Sequence, residues 1–216
     1  MLLATGSGLL LACACIGYVG PARADASATD VAAARSLGQE GIALANQGKC
    51  KEAIELFERA EKILHAPTHL FRLADCMVKV GRLVEGTEVL NRLVRETLAP
   101  NAPAAFKSAQ ERGQALLART QPRLAKLRIN VTGPGKDVAL TVTIDGRSVS
   151  SATVGVSQPA DPGERTVDVS APGFLPKSAK VTLPEAGAGE VSLSLDPDPN
   201  AEKVPAVATT PAAPDA

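Results

Sequence analysis

The sequence is short of rings and of histidine: it has no Trp, one Tyr, four Phe and two His. So few aromatics leave little with which to stack nucleobases, and the same scarcity argues against an aromatic sugar-binding face. Lys and Arg total 23, matched by 23 Asp and Glu. Phosphate neutralisation needs a surplus of cations, so this balance excludes a dedicated nucleic-acid binder. Two His supply little acid/base or metal chemistry. Nothing in the chain nominates a nucleophile, a base or a cofactor site, and no enzyme is expected. A length of 216 residues suits one or two modest domains.

The one long apolar run lies at the start, from Leu9 to Val19. It is too short for a comfortable membrane span, which takes about 20 residues. Ala22-Arg23-Ala24 follows with the small-x-small pattern of signal peptidase, so residues 1-24 read as a secretory signal cut after Ala24. Leu10-Leu11-Ala12-Cys13 resembles a bacterial lipobox, which makes lipidation at Cys13 the alternative and the only expected route to a membrane. No Lys or Arg precedes the run, which leaves the true start open. The expected location is periplasmic or secreted, or envelope-anchored if Cys13 is lipidated.

From Thr29 to Thr120 the chain is rich in Ala, Leu, Glu, Lys and Arg, with apolar positions three or four apart, which is amphipathic helix. Positions 33 residues apart align: Leu37 with Leu70, Gly41 with Ala74, Leu44 with Met77, Gly48 with Gly81, Ala53 with Gly86, Phe57 with Leu90. A repeat of that length means stacked helix pairs. Gly48 and Gly81 are expected to end the first helix of each pair. A third helical segment opens at Asn101-Ala102-Pro103, with Phe106, Ala109, Gln110, Gly113, Leu116 and Leu117 on one stripe, and reads as a cap.

In the first copy, Gly41, Leu44, Gly48, Ala53, Phe57 and Ala60 resemble the tetratricopeptide pattern, with small residues where helices A and B cross and a large apolar residue between them. The second copy keeps Ala74 and Gly81 but has Gly86 and Leu93 where that family usually has Ala, and both copies lack its Trp and Tyr. The resemblance implies a groove lined by A helices that takes a peptide or a partner helix. Packing on a neighbouring domain, or dimerisation, is the other reading.

Without the signal, Cys50 and Cys76 remain in an oxidising space, where an even pair invites a disulfide. Side-by-side A helices are expected to bring the two sulfurs together, either bonded or as two small buried apolar residues. His65 and His69 lie near Asp75 and Cys76, but Pro67 interrupts any helix between the two His and no tetrahedral ligand spacing exists. They are expected to cap or line a turn, not to bind metal.

Past Arg123 the periodicity becomes alternating: Leu127, Ile129, Val131, then Val138, Leu140, Val142, Ile144. Asp145-Gly146 is a hairpin signal. Strands are expected at Val167 to Ala171, Lys177 to Leu183 and Val191 to Leu195, divided by Pro/Gly turns, which reads as an antiparallel β-sandwich. Val142-x-Ile144-Asp145-Gly146, Pro162-Gly163-Glu164-Arg165 and Ala171-Pro172-Gly173-Phe174 resemble the PEGA domain, although the spacing from Asp-Gly to Pro-Gly is longer than that family's. The resemblance implies an envelope module without catalysis. Asp145 and Asp161 are a conceivable carboxylate pair for glycoside cleavage, yet each stands where a turn favours Asp.

The expected fold class is α+β in two domains: about five helices in tetratricopeptide-like hairpins over 25-121, a PEGA-like sandwich over 124-195, and a disordered Pro/Ala-rich tail over 196-216. The expected function is a non-enzymatic envelope adaptor. Its helical half binds a protein partner or a second copy, and its β half acts as spacer or docking module. The alternative is cell-wall or polysaccharide binding through the β half.

Overall fold

The computed structural model describes residues 26–201. The signal segment, Cys13 and Ala24, and the tail from residue 202 onward lie outside the described residues. Among the described residues the architecture is α+β, with five α-helices followed by two β-sheets.

Helix α1 (Ala28–Asn46) begins in a capping box. The Asp30 N–H donates to Ser27 Oγ at 3.1 Å, and the Ser27 N–H donates back to Asp30 Oδ2 at 3.3 Å. Helices α2 (Cys50–Ile63), α3 (Pro67–Lys79) and α4 (Leu83–Arg95) follow after short turns, and α5 (Ala104–Thr120) closes the row. Pro67 occupies the first turn of α3, where its missing N–H costs nothing.

The 33-residue repeat is visible in the turns themselves. Gly48 and Gly81 both have positive φ, 77° and 84°, a conformation that favours glycine. The Lys49 N–H donates to Leu44 O at 3.0 Å, and its counterpart Arg82 donates to Met77 O at 2.9 Å. Gly41 is small because Phe57 leaves no room: a Cβ there would stand 2.8 Å from the ring. Phe57, Ala53, Ala60 and Ala74 are fully buried, whereas Leu44 is partly buried against the cluster that holds Ala53 and Phe57. Burying a ring like Phe57 contributes roughly 1.5–3 kcal/mol.

A single 3₁₀ turn, Gln121–Arg123, connects α5 to strand β1 (Ala125–Thr132). Sheet one has the order β4-β1-β7 and sheet two β3-β2-β5-β6. Their strands are β2 (Thr141–Ile144), β3 (Arg147–Val149), β4 (Gln158–Ala160), β5 (Gly163–Ser170), β6 (Lys177–Leu183) and β7 (Ala188–Ser194). Inward residues of both sheets, among them Leu127, Ile129, Val142, Val167, Val169 and Leu193, form one core.

The β half differs from the sequence expectation in several places, among them earlier starts for β5, at Gly163 instead of Val167, and for β7, at Ala188 instead of Val191. The pair β1–β7 is parallel, so the sandwich is not wholly antiparallel. The second strand starts at Thr141 instead of Val138, because its partner β5 stops opposite it at Ser170 and leaves Leu140 unpaired. Strand β4 has no counterpart in that expectation; it contains Pro159 and lies at the sheet edge, where proline is tolerated. Residues Asp196–Ala201 are not tail. The Leu175 N–H donates to Asp196 O and the Asp198 N–H to Gly173 O, both at 2.9 Å, and Phe174 bridges Pro197. The Asp145-Gly146 hairpin forms as expected, with φ of 50° and 77°.

Candidate binding groove

Helices α1 and α3, the first members of the two hairpins, and the closing helix α5 line one face of the helical half. A groove of about 490 Å3 runs along it. Its floor is apolar: Ala34, Phe57, Phe71 and Ala109 are buried, and Phe106 is half-buried. One arginine from each helix, Arg35, Arg72 and Arg112, lines it. The Arg112 guanidinium lies over the Phe71 ring, 4.2 Å from its centroid, a cation–π arrangement that fixes the charge in place. His69 also faces this groove, with Nε2 so close to Gly38 that a Cβ there would sit at 3.1 Å.

At the end of the groove His65 lies in the α2–α3 turn and His69 in the first turn of α3. His65 Nδ1 lies 2.5 Å from Glu61 Oε1, and His65 Nε2 lies 3.0 Å from Glu96 Oε1 at the end of α4. Burial works to lower the His65 pKa, but the two carboxylates outweigh it and raise it. His69 Nδ1 lies 3.2 Å from Leu64 O. Both rings therefore line the interhelical turn, and among the described residues no group of three His, Cys, Asp or Glu is arranged to hold a metal.

Cys50, just past α1, is the first residue of α2 and packs with Cys76 of α3 in one buried cluster. Both are free thiols, with 4% and 1% exposure, in one buried apolar cluster. Burial first, and the Cys50 contact second, push the Cys76 thiol up to about 12. The expected approach through adjacent A helices is replaced by an α2–α3 cluster that holds both residues.

A second cleft, of about 460 Å3, lies where the helical and β halves meet. Its charges are largely engaged with one another. Glu85 of α4 pairs with both Arg82 and Arg147, and Arg165 Nη1 donates to Asp145 Oδ2 at 2.8 Å. Asp145 Oδ1 accepts the Thr166 N–H at 2.9 Å. Asp161 Oδ1 accepts the Val84 N–H at 2.7 Å, capping the N-terminus of α4, which has no side-chain cap of its own. Sequence reasoning placed both Asp in turns but missed this cap, which links residues 77 apart and leaves no local signal.

No helix among the described residues is long and apolar enough to cross a membrane. No family model and no curated protein matches the chain.

Proposed function

We propose that this chain is an exported, non-enzymatic adaptor of the cell envelope, whose helical half receives a protein partner along α1, α3 and α5 while its β half holds or docks it. The observation that carries the reading is the apolar-floored groove shared by those three helices. The tetratricopeptide resemblance supports it through the Gly41–Phe57 approach and the repeated Gly48 and Gly81 turns. The PEGA resemblance supports an envelope role for the β half through its Asp145-Gly146 hairpin. Asp145 and Asp161 are committed to Arg165, Thr166 and Val84, which favours a structural role for them over a catalytic pair.

Cell-wall binding through the β half has less support. Phe174, the only ring there, is half-buried against the core, which leaves little aromatic surface for stacking on a sugar. The test compares the native full chain with S108W and Q39W, which fill the groove from exposed positions. Light scattering of protein recovered from the envelope is expected to show a mass above the monomer for the native chain alone. A monomer throughout, with pelleting by purified peptidoglycan, would favour the alternative.

A further inference from the structure

We infer that the groove's partner presents an acidic segment bearing apolar side chains, an inference that rests on the reading of this face as a binding surface. The chain as a whole is neutral, yet the groove is not. Arg35, Arg72 and Arg112 line it and no Asp or Glu does. Among the described residues, none of the three has a carboxylate oxygen within 4.0 Å. The seam gives the contrast, since Arg82, Arg147 and Arg165 all hold carboxylates there. Other acids of the helical half, among them Glu52, Glu55 and Glu58 on α2 and Glu88 on α4, are exposed away from the lining, and Glu61 and Glu96 engage His65 at the end of the groove.

Guanidinium groups recognise carboxylates through paired, charge-assisted N–H donors. Stacking over Phe71 uses the flat face of Arg112 and leaves its N–H edge for such a pair. Three cations spaced over α1, α3 and α5, above an apolar floor, match a stretch with carboxylates at intervals and apolar residues between them. The groove volume lies within the range of about 300–1,000 Å3 that accommodates a compact ligand, so a few residues of such a stretch fill it. The geometry therefore selects sign as well as shape, since a basic segment meets three uncompensated charges.

The experiment titrates the full chain with two labelled decapeptides, one alternating Glu and Leu and one in which every Glu is Gln. Fluorescence anisotropy gives affinity. The imidazole NMR signals give the location, because the chain has only two His and only His69 lines the groove. The Glu peptide is expected to bind at least about tenfold more tightly than the Gln peptide, to weaken with salt, and to move His69. R72Q or R112Q is expected to lower that affinity about fivefold to tenfold, whereas R95Q, exposed on α4, leaves it unchanged. Equal binding of both peptides at His69 would overturn the acidic partner and keep the groove. If neither peptide moves His69, the groove reading falls with it.

Discussion

Replacing Asp161 with Ala removes a helix cap that one half of the chain supplies to the other. The first turn of α4 follows Arg82, which makes no side-chain cap, so the Val84 N–H depends on Asp161 Oδ1 at 2.7 Å. Losing a cap of this kind costs about 0.5–2 kcal/mol. Part of that, roughly 0.3–1 kcal/mol, is the interaction of the carboxylate with the helix dipole, and D161N retains an acceptor while losing this part. The site is partly buried and flanked by the Glu85–Arg147 pair, so a loss of about 1.5 kcal/mol is expected for D161A. For a folded unit of this size that lowers Tm by about 3–6 °C, with D161N falling between. D137A, on an exposed loop, serves as the control. Hydrogen exchange read by mass spectrometry should show faster exchange over residues 83–88 in D161A, and also around Gly163, because the cap ties the two segments together. An unchanged Tm and unchanged exchange in both segments would refute the reasoning.

Three further outcomes follow from the helical half. G41A forces a Cβ to 2.8 Å from the Phe57 ring and should destabilise by about 1–3 kcal/mol, while F57A should cost about 3–5 kcal/mol; urea titrations by circular dichroism check both. His65 has its pKa raised in the fold, so its contribution is fully present below the unfolded value near 6.5 and fades as pH rises through the higher folded value. The Tm gap between the native chain and H65Q should therefore be larger near pH 6 than near pH 8.5, and a gap independent of pH contradicts the Glu61–His65–Glu96 contact. The Cys76 thiol, raised to about 12, is a poor nucleophile at pH 8; where Cys50 and Cys76 are reduced, alkylation should be slow in the fold and rapid in urea, and equal rates would show that the pair is not buried.

Much of the helical half is legible in the sequence because its determinants are local. Gly48 and Gly81 recur at the repeat spacing and do the same thing, ending a helix with positive φ. Phe57 and Gly41 are separated by one hairpin, so their packing is implied by the pattern. The β half is less legible where pairing is remote. The parallel β1–β7 contact joins the first and last strands, and β4 hides behind Pro159. Arg35, Arg72 and Arg112 escape the repeat comparison because their spacings, 37 and 40, are out of register with 33. Only the folded helices bring them to one face.

Site-specific photocrosslinking in the envelope is the most direct measure of the central claim, that the face of α1, α3 and α5 is where this chain meets a partner. A photoreactive residue at Gln39, exposed beside the groove, is compared with one at Glu52, exposed on α2 away from it. The account predicts a discrete adduct from position 39, to another protein or to a second copy, and none from position 52. Adducts of equal yield from both positions, or from neither, would contradict it.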